Sequence, residues 1–441
     1  MTRQLRLLLT ASLIASTTSL SAANWPQWRG VDGQGISAET NLPDSWSPTS
    51  NMAWKTALPG YGQSQPIVWG SRIFLTSDVE TGPAPADHKA PVHLMEGQPW
   101  VHPDSVGIDK LHALKVVSLD LESGKILWEK TAYEGTVFDQ RHRRSSFAAP
   151  TMVTDGKTVV AYFGPEGLYA YDFDGSLKWK ADVGKFPLLG MGTGTSPVLH
   201  DNVVIIQRDE NEGKESVLLG FDINTGKQLW RTPRTVEASW STPVLVKTAS
   251  RTELVTNGNQ LVVAYDPKDG TELWRTRGVE SNAIHTPLVG HGLVIVTAGY
   301  PAKKVIAIRP GGSGDITGTD RIVWQYDRGT GYVISPILYG DYVYLVSDKG
   351  IISCLDAKTG EVKYEGGRVP VPATFMASPI AVDGKILLTS IDGDTYVIKA
   401  GPVHQVLGTN AIGEPAASTP SISQGRILVR GATHLYCIRR T

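Results

Sequence analysis

A proline recurs eight times along this chain: Pro66, Pro150, Pro197, Pro243, Pro287, Pro336, Pro379 and Pro420. The successive spacings are 84, 47, 46, 44, 49, 43 and 41 residues. Six of the eight follow a hydroxyl residue: Ser196, Thr242, Thr286, Ser335, Ser378 and Thr419. Each opens a β-rich run, such as residues 67–76 or 198–207. Short strands repeating at such a period are the mark of radial repetition. The spacing predicts an all-β chain: one eight-bladed β-propeller of four-stranded blades over residues 24–441.

A second signal follows most of the prolines. It reads Leu119-Asp120…Gly124…Trp128, then Tyr171-Asp172…Gly175…Trp179, Phe221-Asp222…Gly226…Trp230 and Tyr265-Asp266…Gly270…Trp274. A degraded copy is Leu355-Asp356…Gly360…Tyr364. The fifth unit diverges at residues 309–314 but ends in Trp324, and the seventh, around residues 399–407, has lost the aromatic. Asp opens a turn by accepting nearby backbone N–H groups, and Gly supplies a positive φ. The Trp that follows is large enough to fill the wedge between twisted blades. After Pro420 there is room for three strands. The missing fourth is expected from residues 51–58, which carry Trp54, so that both chain ends close the ring and leave no long free edge.

At 441 residues the chain exceeds one ordinary core, a limit a propeller escapes because each blade packs on its neighbours. Net charge is −1, with both signs interspersed. With no polybasic tract to neutralise phosphates, that argues against nucleic acid and anionic membranes as main partners. Arg3 and Arg6, an apolar stretch at residues 7–15 and Ser21-Ala22-Ala23 read as a signal peptide over residues 1–23, removed before Asn24. No Cys stands near that point, so no lipid anchor is expected. No later apolar run is long enough for a transmembrane segment. A periplasmic or secreted location follows. Cys354 and Cys437 fall on the same strand of the sixth and eighth blades, too far apart to bond.

The eightfold Asp-x-x-x-Gly-x-x-x-Trp closers headed by Ser-Pro resemble the pyrroloquinoline-quinone-like (PQQ-like) propeller repeat. The opening Asn24-Trp25-Pro26-Gln27-Trp28-Arg29-Gly30 also resembles the start of secreted bacterial members. The resemblance covers essentially residues 24–441 and implies two branches. Quinoprotein dehydrogenases oxidise alcohols or sugars with PQQ, hold Ca²⁺ with carboxylate and amide oxygens, stack the cofactor on a Trp and use an Asp as base. Many carry a vicinal cysteine pair. This chain has none, and no Glu…Asn…Asp ligand set aligns onto it. The other branch resembles the propeller subunit of the outer-membrane β-barrel assembly machinery, a lipoprotein that binds partners and catalyses nothing.

Candidate site residues follow from the strand order, which sets the segments before each proline near the axis at one mouth. Two residues before the proline the chain is mostly small, with His285 the polar exception and Asn282 beside it. A histidine there suits ligand contact or proton transfer, or a space-filling hydrogen-bonded role. Asp78, Asp209 and Asp348 fall twelve residues after their prolines, with Asp392 at thirteen. They fit a cation-binding ring or ordinary turns. Arg141-His142-Arg143-Arg144 suits a carboxylate or phosphate, or a solvated loop. Arg328, Tyr332 and Trp240 occupy comparable entry loops, and Trp240 suits a flat ligand or blade packing. An insertion over residues 79–113 carries His88, His93, His102 and His112 without tight metal spacing, with Asp87, Glu96 and Asp104 nearby. It reads as a solvated loop. The expected function is a ligand- or protein-binding scaffold acting through the axial mouth. A PQQ- and Ca²⁺-dependent dehydrogenase and a saccharide-binding module remain as alternatives.

Overall fold

The computed structural model describes residues 23–95, 97–280 and 282–440. The signal-peptide reading of residues 1–22 and the possible ligand Glu96 lie outside the described residues.

Eight sheets follow one another around an axis. Their innermost strands are Ile67–Trp69, Val153–Thr154, Val198–His200, Val244–Lys247, Leu288–Gly290, Ile337–Tyr339, Ile380–Val382 and Ser421–Ser423. Seven of these begin directly after the marker proline, so the proline sits where no ladder N–H is needed. The middle strands are sandwiched between neighbouring blades and are apolar on both faces. Val203–Arg208 is buried at every residue, whereas the outer strand Gln228–Pro233 is largely exposed. The core is therefore a series of interblade layers. One joins Val255 and Val262 of blade 4 to Val294 and Ile306 of blade 5.

The closers explain how blades lock together. The Trp of one blade lies on the Asp-x-x-x-Gly turn of the next. Trp128, Trp179 and Trp324 donate their indole N–H to the carbonyls of Phe173, Ile223 and Ala357, at 2.9, 2.8 and 3.1 Å. Each acceptor directly follows the turn's Asp. Gly226 has φ +71°, and a Cβ there would stand 2.6 Å from Trp179. Glycine is thus required both by the turn and by the ring pressed against it. The fifth unit lacks this turn. Trp274 turns instead to the carboxylate of buried Glu253, at 2.8 Å, which also accepts the Gly311 N–H.

Closure is as expected. Met52–Ala57 pairs antiparallel with His434–Arg439 as the fourth strand of blade 8, and Trp54 donates to the Leu121 carbonyl of blade 1 at 3.2 Å. A second closure lies outside the repeat pattern. Residues 24–37 cross the axis and bond to the ring's inner wall. Trp25 pairs with Val68 of blade 1, Gln34 bonds Pro287 and Val289 of blade 5, and Ile36–Ser37 runs parallel to Ile380–Val382 of blade 7. Arg29 is buried in the same crossing and donates to the Gln34 and Pro336 carbonyls, both at 3.0 Å. Burial drives its pKa down to about 9.

The insertion is less loop-like than its composition implies. The middle strands of blade 1 run through it as Arg72–Pro83 and Lys110–Asp120. The remainder forms a small hairpin, His93–Met95 with Gln98–Trp100, and a short ribbon in which Ser105–Val106 pairs with Arg141–His142. Its histidines are not all solvated. His93 lies buried with Nε2 3.0 Å from Asp139, and His112 bonds Asp78 at 2.7 Å and the Gly107 carbonyl at 2.8 Å. Carboxylates of the blades supply partners the insertion alone does not show. Among the described residues no helix is long and apolar enough to cross a membrane.

Candidate functional site

A cavity of about 460 Å³ opens on the axis at the mouth carrying the insertion. Its wall follows a period of two. Positions one before the proline, including Ser196, Thr242, Thr286, Ser335, Ser378 and Thr419, line it. Positions three before, including Gln63, Trp240, Ile284, Val333 and Met376, line it too. The hydroxyls form a chain of bonds around the axis. The amides of Ser196, Thr286, Ser335 and Ser378 donate to the hydroxyl of the next blade's equivalent residue, at 3.0, 3.1, 3.2 and 2.9 Å. Trp28 also lines the cavity, carried there by the axial crossing, and its indole N–H donates to Thr286 at 2.9 Å. Trp240 is fixed by a 2.9 Å bond to the Gly192 carbonyl. Phe375, Met191 and Met376 complete an aromatic and thioether lining. His142, Arg144 and Lys349 are basic, and Asp348 is the lone carboxylate among the lining residues.

Four sequence candidates meet here: Trp240, His142, Tyr332 and Asp348. Asp348 is already engaged, accepting the Tyr332 backbone N–H at 2.7 Å. Asn282 stands just behind and donates to the Tyr332 hydroxyl at 3.0 Å. Arg141 packs on the Phe147 ring beside the mouth. Arg328 is on the outer surface, stacked on Tyr326 and 3.6 Å from Glu365. The aspartates do not form a ring of free ligands. Asp78 is bound to His112, Asp392 is exposed, and Asp209 is buried against Arg234 at 2.9 Å. Burial drives the Asp209 carboxyl up to about 6, with the Arg234 charge opposing.

His285 occupies the position two before the proline, and in a strand that residue faces away from its neighbours one and three before. It is buried, bonded to Thr297 at 2.7 Å and to the Tyr332 carbonyl at 3.1 Å. Burial drives its pKa down to about 4, against the pull of its carbonyl partners. The imidazole is therefore neutral in the fold. An unfolded histidine protonates below pH 6.5, so the contribution of His285 is full above that value and is lost as pH falls toward 4. The loss is about 3 kcal/mol. His112 works in the opposite sense. Burial lowers its pKa, but the bond to Asp78 and that carboxylate's charge raise it further, so its contribution is full below 6.5 and fades at higher pH. Thermal melts between pH 7 and 4.5 are expected to show a shallower acid slope in His285→Gln than in the wild type. Equal slopes would remove His285 as the cause.

The family model described as outer membrane protein assembly factor BamB matches residues 112–214 and 213–366. The chain belongs to this BamB family of PQQ-like propellers. No curated protein matches the chain. Solved structures share the fold at low identity. The crystal structure of BamB from Moraxella catarrhalis is 14% identical with a TM-score of 0.55, covering 82% of this chain and 97% of that one. Quinohemoprotein alcohol dehydrogenase from Comamonas testosteroni is 12% identical with a TM-score of 0.64, covering 95% and 81%. A europium-containing methanol dehydrogenase is 11% identical with a TM-score of 0.62, covering 93% and 90%.

The residues present do not fit PQQ with Ca²⁺. A Ca²⁺ ion takes six to eight oxygen ligands, often from several carboxylates. The cavity offers Asp348, one of whose oxygens is spent, and no Glu or Asn among its described lining. Cys354 and Cys437 are free, buried and in different blades, with burial driving both thiols up to about 12.

Proposed function

We propose that this BamB-family propeller is an extracytoplasmic binding scaffold. Its axial cavity takes an anionic group carried on a flat or apolar body, presented by a small molecule or by a protein segment. The observation that carries this reading is the cavity's composition. Trp28, Trp240 and Phe375 line it with aromatic rings, and His142, Arg144 and Lys349 outnumber the single carboxylate, Asp348, among the lining residues. Its size lies in the range of small-ligand sites. The leader-like residues 1–23 support the location.

Anilinonaphthalene sulfonate, a flat aromatic anion, is a suitable probe. It is expected to bind the intact protein and to lose about tenfold in affinity in Arg144→Ala/Lys349→Ala, equivalent to about 1.4 kcal/mol. Trp240→Ala should lose a similar amount. Unchanged affinity in both variants would contradict the cavity as the site. PQQ with Ca²⁺ that reduced a dye on addition of an alcohol would replace the scaffold reading with the dehydrogenase one.

A further inference from the structure

The insertion and the loop entering blade 2 meet in a cluster that the spacing of the histidines did not reveal. His102 and Asp104 come from the insertion, and His142 comes from the basic loop some 38 residues later. One ligand atom of each lies within 4.8 Å of the other two. His142 Nε2 is 3.4 Å from Asp104 Oδ2, and the two imidazole centres are 5.7 Å apart. All three side chains are half-buried, so an ion can reach them from solvent.

The cluster is held by backbone. Ser105–Val106 and Arg141–His142 form an antiparallel ribbon with His142 opposite Ser105. The Arg143 N–H donates to the Asp104 carbonyl at 2.8 Å, and the His142 N–H donates to the Met191 carbonyl at 3.1 Å. Trp100 packs edge-on against His102. The donors are thus fixed by two chain segments before any ion arrives, which lowers the ordering cost of binding.

We propose that His102, Asp104 and His142 form a divalent transition-metal site at the rim of the axial cavity. Two imidazoles and one carboxylate are the donor set of zinc-type and facial-triad sites, and they leave coordination positions open. Calcium, which takes oxygen donors, is disfavoured by the imidazoles. Because His142 also lines the cavity, an ion held here borders the space where a ligand would sit. The site stands on this geometry whether or not the cavity binds an anion.

The hydrogen bonds set the affinity range. His102 Nδ1 accepts the Asp104 N–H at 3.0 Å, and His142 Nδ1 accepts the Arg144 N–H at 3.1 Å. Each neutral ring therefore carries its proton on Nε2. An ion at Nε2 obliges each ring to take the other tautomer, with the proton on Nδ1, and those two amides turn to water. Asp104 also gives up part of its contact with Arg143, now 3.1 Å away. Such a site binds more weakly than a structural zinc centre whose rings donate to carbonyls.

The test is Co²⁺ titration of residues 24–441, the whole propeller, followed by visible d–d absorption, with Zn²⁺ as competitor. The expected result is one Co²⁺ per chain, displaced by Zn²⁺ and not by a tenfold excess of Ca²⁺. His102→Gln, His142→Gln and Asp104→Asn should each weaken binding at least tenfold. His102→Gln keeps the experiment decisive should the ribbon variants fold poorly, because His102 lies outside the paired residues Ser105–Val106 and Arg141–His142. Absence of stoichiometric Co²⁺ binding, full binding by folded His102→Gln, or ready displacement by Ca²⁺ would each overturn the proposal.

Discussion

Removing residues 24–58 is expected to abolish the cooperative unfolding transition of the ring. The segment contributes more than an edge strand. Met52–Ala57 completes blade 8, and residues 24–37 tie blades 1, 5, 6 and 7 to one another across the axis. It also buries Trp25, Leu42 and Trp46 in the core shared by blades 1, 7 and 8. Full burial of a large apolar side chain is worth about 1.5–3 kcal/mol. With the lost ladder bonds and the exposed faces of blades 1 and 8, the deficit is on the order of 10 kcal/mol, comparable to the whole stability of a domain. Urea unfolding followed by circular dichroism measures this directly. A truncated chain with an unchanged midpoint would show that the ring holds without either closure.

Arg234→Leu carries the largest expected single-residue effect. Arg234 and Asp209 are both fully inaccessible, and the guanidinium also packs over Tyr265. Gln207 donates a further bond to the carboxylate at 2.8 Å. Deleting one partner of a buried pair leaves the other charge uncompensated, at a cost of about 3–5 kcal/mol. The sign with pH follows. Without the guanidinium the carboxyl rises further, so the variant is penalised most at pH 8 and least at pH 5, where Asp209 is neutral. Replacing both residues by Leu should recover most of the loss. A single variant whose urea midpoint matches the wild type at both pH values would contradict this account.

The architecture was legible because its signals are local and repeated. The Ser-Pro marker, the Asp…Gly turn and the Trp recur in register, and even Trp54 could be assigned to blade 8 from the missing strand. The site was legible only in part. Trp240 stands three residues before its proline and lines the cavity, whereas His285 stands two before and faces the interblade core. A one-residue offset in a strand reverses the face, so choosing the wrong parity moves a residue from cavity to core. Trp28 was missed because its approach to the axis depends on a crossing that no periodicity encodes. The bonded partners of Asp78, Asp209 and Asp348 were likewise invisible. A twelve-residue offset places an aspartate at the mouth, but His112, Arg234 and the Tyr332 amide reach it only through tertiary folding.

The most direct measurement is a crystal structure of residues 24–441 grown with anilinonaphthalene sulfonate. The probe is expected on the axis, with its ring system against Trp28 or Trp240 and its sulfonate toward Arg144 and Lys349. Density for the probe elsewhere on the propeller, with the axial cavity holding solvent alone, would contradict it.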